Sequence, residues 1–177
     1  ATGTVAMIMK KFKLPDGRVK ILIQGLVTAR IKEYLRVEPS FQVAIEEAPD
    51  VAASQVTPEI EALMRNVKEQ CEKILSLKGL ISTEVIEMLD SVNEPGRLAD
   101  LVASNLRLKI EDSQRILETL DPSERLKKVN EHLSKELEVS TMQAKIQSQA
   151  KEEMTKTQRE YFLREQLKAI KSELGDI

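Results

Sequence analysis

Aromatic side chains are scarce: two Tyr, three Phe and no Trp among 177 residues, 3% of the chain. A compact domain of this length normally buries more large rings, so part of the chain is expected to be helix that buries little. Other shortages exclude whole classes. A single cysteine, Cys71, excludes an internal disulfide, and with one histidine, His132, it cannot complete a zinc-type ligand set. The lone histidine also removes Ser–His–Asp and Cys–His hydrolase schemes. No run of about 18 apolar residues exists, so no span of a membrane is expected. No apolar stretch follows a basic N-terminus, so no signal peptide is read. The six glycines are scattered, and no G-x-x-x-x-G-K-[ST] phosphate loop occurs. A net charge of −2 argues against non-specific nucleic-acid binding by the whole chain. At 41% apolar residues, however, the chain is too hydrophobic to be disordered.

What is present divides into three zones. Residues 1–45 hold eight Lys/Arg against three Asp/Glu, residues 46–121 eight against sixteen, and residues 122–177 eleven against ten. The first zone reads as strands: Val5 to Leu14, Val19 to Ile23, and Phe41 to Ile45, the last with Phe41, Val43 and Ile45 on one face. Pro15-Asp16-Gly17 favours a hairpin between the first two, because Pro presets the turn dihedral and Gly accepts positive φ. Three strands make a poor independent sheet unless something covers them. Lys10, Lys11, Lys13 and Lys20 form a basic surface, either a solvated sheet face or a contact for an anionic partner such as nucleic acid. No interleaved aromatics provide stacking platforms for bases.

The second zone reads as a helical bundle. After a short link at Val51–Val56, Thr57-Pro58 supplies a cap and a proline at the first helical position. Ile60, Leu63, Met64, Val67, Cys71, Ile74 and Leu75 then share one helical face, ended by Gly79. Cys71 on that stripe reads as a small buried hydrophobe. Ser82 caps a second helix with Val85, Ile86, Leu89 and Val92 facing inward. Glu94-Pro95-Gly96 begins a third with Leu98, Leu101 and Val102. A fourth lies within Leu106–Leu120, with Ile110, Ile116 and Leu117.

The third zone reads as one helix. Asp121-Pro122-Ser123-Glu124 is a capping-box arrangement, and no Pro or Gly recurs until Gly175. Helix from Pro122 to Leu174 would run roughly 80 Å, twice the width of a domain of this size, so most of it leaves the globule. Leu126, Val129, Leu133 and Leu137 are spaced to pack on the bundle, with His132 as a boundary side chain. Beyond them the helix turns polar, and Leu163, Leu167, Ile170 and Leu174 then make a coiled-coil-like seam, with Tyr161 and Phe162 beside it. The expected architecture is α+β: an incomplete β-subdomain (1–49), a helical bundle (50–121), and a very long projecting C-terminal helix (122–177). Carboxylate pairs such as Glu46-Glu47 and Glu152-Glu153 lie on polar segments, and no catalytic constellation emerges.

The stretch Gln158-Arg159-Glu160-Tyr161-Phe162-Leu163-Arg164-Glu165-Gln166-Leu167-Lys168-Ala169-Ile170-Lys171-Ser172-Glu173-Leu174-Gly175 closely resembles the segment following the N-terminal domain of the Lon family of ATP-dependent serine proteases. Leu14-Pro15-Asp16-Gly17-Arg18-Val19-Lys20, Gly25-Leu26 and Ala29-Arg30-Ile31 resemble that family's β-subdomain. Pro95-Gly96-Arg97-Leu98-Ala99-Asp100 and Glu124-Arg125-Leu126 resemble its helical subdomain.

The resemblance implies a cytoplasmic fragment of a longer protein, begun inside the β-subdomain and ended before any Walker motif. ATP, Mg and the Ser–Lys dyad would belong to AAA+ and protease modules elsewhere in the parent, which forms a homo-hexamer. No catalytic, cofactor or metal residue carries over. The expected role is recognition of unfolded, damaged or degron-bearing clients, through Met142, Met154, Tyr161, Phe162, Leu163, Leu167, Ile170 and Leu174, which are also candidates for contact between subunits. The alternatives are a purely structural spacer for hexamer assembly and nucleic-acid binding through residues 1–45.

Overall fold

In the computed structural model, which describes residues 1–50 and 56–175, three antiparallel strands precede five helices, an α+β arrangement. The strands β1 (Thr2–Lys13), β2 (Val19–Arg36) and β3 (Gln42–Glu47) form one sheet in the order β1-β2-β3. The link read at Val51–Val56 lies outside the described residues except for Val56.

The Pro15-Asp16-Gly17 hairpin forms. The Leu14 N–H donates to the Arg18 carbonyl at 2.8 Å, and the Gly17 N–H donates to the Leu14 carbonyl at 3.1 Å. Gly17 takes φ 83°, the left-handed residue that lets a tight turn match the twist of its strands. The strand expected over Val19–Ile23 continues to Arg36, because bulges absorb the irregular residues. Val5 faces Val27 and Ala6 faces Gly25, so Leu26 is the extra residue on β2; Met9 is its counterpart on β1. β3 begins at Gln42, leaving Phe41 outside it, edge-on to Tyr34 with ring centroids 5.9 Å apart. Val43 and Ile45 share one face of β3 as their alternation predicts, but that face is shallow: Val43 is half-buried, and Ile45, like Phe41, is exposed.

Five helices follow, α1 (Pro58–Leu77), α2 (Thr83–Ser91), α3 (Pro95–Asn105), α4 (Ile110–Glu118) and α5 (Pro122–Glu173), and α1, α2 and α5 begin at side-chain caps. Thr57 accepts from the Ile60 N–H and Ser82 from the Val85 N–H, each at 3.3 Å. Asp121 accepts from the Ser123 and Glu124 N–H groups at 2.8 and 3.1 Å. The reciprocal half of the capping box is absent: the Glu124 carboxylate accepts from Lys127 instead. Ile110, counted among the apolar residues of this helix, is 84% exposed, because six residues of helix turn it roughly 120° away from the buried Ile116.

One core joins four helices: Met64, Val67 and Ile74 from α1, Leu98, Ala99 and Val102 from α3, Ile116 from α4, and Leu126, Val129 and Leu133 from α5. α1 and α5 lie parallel, since Asn66 bonds Asn130 and Gln70 bonds Ser134, both partners advancing by four residues. The core contains no aromatic residue. Phe12, Tyr34, Phe41, Tyr161 and Phe162 are all exposed.

Candidate functional site

At about 1.5 Å per residue, the 52-residue α5 is roughly 78 Å long. Its burial stops abruptly. Pro122, Arg125, Leu126, Val129, Leu133 and Ser140 are buried, whereas every residue from Thr141 to Gly175 is exposed except the half-buried Ala144. The stretch from Gln143 to Glu160 is too polar to fold back onto an apolar core, so the helix continues outward. Upon it Met142, Met154, Tyr161, Phe162, Leu163, Leu167, Ile170 and Leu174 are all more than half exposed. Such a density of large apolar side chains on a solvated helix is the mark of a contact surface.

These side chains do not share one face. At about 100° per residue, Leu163, Leu167, Ile170 and Leu174 fall within a sector of about 60°. Met154 and Tyr161 lie within about 20° of each other and roughly 150–170° round from that sector, with Phe162 between. Tyr161 and Phe162 are therefore neighbours of the seam in sequence but not in space. The distal helix has two apolar sides, a narrow leucine-rich seam and a broader side of Met154, Tyr161 and Phe162.

A buried ion cluster fixes the root of this helix. Arg125 is 4% exposed, and its guanidinium donates to both Asp50 carboxylate oxygens at 2.7 and 2.8 Å and to the Thr119 carbonyl at 2.9 Å. Its Nε lies 3.0 Å from an Asp100 oxygen, within ion-pair distance but without the alignment of a hydrogen bond. The Asp50 hydrogen bonds raise the Arg125 pKa beyond its already high usual value. Burial raises the Asp100 pKa, and the Arg125 charge opposes that rise without cancelling it. Gly96 closes the cluster from α3: a Cβ there would come 2.8 Å from Arg125 Nη2 and 3.0 Å from Asp50 Oδ2. This joint ties Asp50, three residues past β3, to α3 and the start of α5. Periodicity gave no sign of it, because a buried arginine breaks the apolar pattern; its signal was Pro95–Asp100 and Glu124–Leu126, two separate motifs that meet here.

Lys10, Lys11, Lys13 and Lys20 are exposed near the tip of the β1–β2 hairpin. Cys71 is half-buried on α1, with its thiol pKa pushed up to about 11 by burial and then by Glu72. His132 lines a cleft of about 180 Å³ between α4 and α5, with Asp112, Arg115, Lys128 and Glu131. Among the described residues no group of three or more His, Cys, Asp or Glu is placed to hold a metal. No helix among them is long and apolar enough to cross a membrane.

Comparison with known proteins bears on the family and the fold. The family model of the ATP-dependent protease La (LON) substrate-binding domain matches residues 1–135. The chain is 55% identical to a Lon protease of Desulfovibrio desulfuricans over 98% of its own length and 20% of that protein. It is 56% identical to a Lon protease of Geobacter metallireducens over 98% of its length and 21% of that protein. It thus spans about a fifth of the length of these relatives. The N-terminal domain of a Mycobacterium avium complex Lon protease superposes with a TM-score of 0.62 at 25% identity, covering 75% of this chain and 69% of the other. A Lon N-terminal domain protein from Xanthomonas campestris shares the fold, with a TM-score of 0.52 at 18% identity over 73% and 66% of the two chains.

Proposed function

The chain belongs to the Lon substrate-binding domain family, and on that premise we propose that it captures unfolded or damaged polypeptides for a longer ATP-dependent protease. The observation that carries this reading is the distal part of α5, 33 residues from Thr141 to Glu173 with exposed apolar side chains and almost no burial. An unfolded client exposes apolar segments of no fixed sequence. A flexible, polarizable thioether and two aromatic rings, Met154, Tyr161 and Phe162, suit weak contact with many of them. The seam of Leu163, Leu167, Ile170 and Leu174 is narrow enough for one partner helix, and on this reading it joins a neighbouring subunit. Weak contacts on both sides gain strength when several copies are linked in one homo-hexamer. ATP, Mg and the peptide-cleaving Ser–Lys dyad belong to AAA+ and protease modules of the parent, and α5 is the connection toward them in the cytoplasm.

The test is made in the full-length protein. Tyr161→Ser with Phe162→Ser should slow degradation of an unfolded client while ATP hydrolysis without client persists. Unchanged degradation would refute the assignment and favour a helix that only spaces the assembly.

A further inference from the structure

The tip of the β1–β2 hairpin carries a second, differently charged surface. Between Lys10 and Lys20 lie five cations, Lys10, Lys11, Lys13, Arg18 and Lys20, and one carboxylate, Asp16, which is already paired with Arg18. No ion pair among the described residues engages any of the four lysines. Large apolar side chains stand exposed among them: Ile8, Phe12, Val19, Ile21 and Leu22.

The strand register arranges these in a pattern. Lys10 faces Leu22 and Phe12 faces Lys20, so one side of the ribbon carries Lys10, Phe12, Lys20 and Leu22. Lys11 faces Ile21 and Lys13 faces Val19, so the other side carries Lys11, Lys13, Val19 and Ile21. Both sides hold cations and apolar groups in nearly equal number. Among the described residues β3 pairs with β2 only from Ala29 onward, and from Val19 to Val27 β2 pairs with β1 alone. An extended segment added along such an edge sends alternate side chains to the two sides, where pockets and charges select them.

We infer that this hairpin tip binds extended client segments in which Asp or Glu is interleaved with apolar residues. The inference rests on the client-binding reading above and adds to it a preference by charge. Charge complementarity selects the acidic positions and the exposed Phe12, Val19, Ile21 and Leu22 the apolar ones. A nucleic acid would meet the same lysines, but it would bring phosphates where the hairpin offers apolar side chains, and Phe12 is the lone aromatic ring at the tip.

The experiment uses the 177-residue chain and three synthetic 20-residue peptides with identical apolar residues. Their polar positions are all Glu, all Gln or all Lys, and binding is read by fluorescence anisotropy at low and at physiological salt. The Glu peptide should bind about ten-fold more tightly than the Gln peptide, the modest gain that several exposed ion pairs give together, and salt should narrow the gap. Lys10→Gln with Lys11→Gln, Lys13→Gln and Lys20→Gln should erase the gap while leaving Gln-peptide binding in place. The same four positions changed to Arg should restore it. Equal binding of all three peptides, or a preference that survives the four Gln substitutions, overturns the inference and leaves apolar client capture standing. Tighter binding of a single-stranded oligonucleotide of matched charge overturns it in favour of nucleic acid. Binding of no peptide overturns both this inference and the reading beneath it.

Discussion

Replacing Arg125 by Met is the sharpest probe of how the long helix is anchored. The guanidinium is 4% exposed and donates to both Asp50 oxygens and to the Thr119 carbonyl. Truncating one member of a buried ion pair costs about 3–5 kcal/mol when its partner stays buried and uncompensated. Here the side chains left behind, Asp50 and Asp100, are 45% and 66% exposed, so water takes over much of their solvation. That discount brings Arg125→Met to about 2–3 kcal/mol. The opposite truncation is less forgiving. Asp50→Ala removes both carboxylate acceptors from a guanidinium that is buried, and leaves it the Thr119 carbonyl and the poorly aligned Asp100. It should cost about 3–4 kcal/mol. Urea unfolding followed by helical circular dichroism reads both, with the midpoint moving and the slope unchanged. An Arg125→Met loss larger than that of Asp50→Ala, or losses below about 0.5 kcal/mol for both, would refute the argument.

Gly96→Ala should cost about 1–3 kcal/mol in the same assay, because its Cβ would displace the cluster; a neutral result would mean that the Arg125 side chain shifts freely. Asp100→Asn should gain on the native protein as pH rises. Burial raises the folded-state pKa of Asp100 above the usual 3.8, so the folded state holds more protons than the unfolded one between the two values, and stability falls with pH there. The stability difference between variant and native protein should therefore grow in the variant's favour through that window and then level off; a constant difference would contradict this. Cys71, with its thiol pKa pushed up to about 11, should react with iodoacetamide at pH 8 far more slowly than in urea-unfolded protein. Equal rates would contradict its burial.

Much of this architecture can be read from local chemistry. Thr57, Ser82 and Asp121 announce three helix starts because a cap is a contact within three residues. The hairpin follows from Pro15 and Gly17, and the exit of α5 from the globule follows from the absence of Pro and Gly over a length no core could cover. Legibility fails where the outcome depends on partners distant in sequence. The Arg125 cluster joins residues 75 and 25 positions apart, and no periodicity encodes it. Leu26 and Met9 slip out of register as bulges, so β2 looked shorter than it is. The opposite placement of Tyr161 and the leucine seam was available from helical phase, yet adjacency in sequence obscured it. The scarcity of aromatics signals more than a thin core: none of the five is buried, and the core is built from Leu, Val, Ile, Met and Ala alone.

Binding of a permanently unfolded, fluorescently labelled protein to the 177-residue chain tests the central claim most directly, with the folded form of the same protein as control. The account predicts that the chain binds the unfolded form and ignores the folded one. Met154→Ser with Tyr161→Ser and Phe162→Ser should abolish most of that binding while helical circular dichroism stays the same, since those side chains make no buried contact. Equal affinity for native chain and triple variant, or equal affinity for folded and unfolded client, would contradict the claim that distal α5 captures clients.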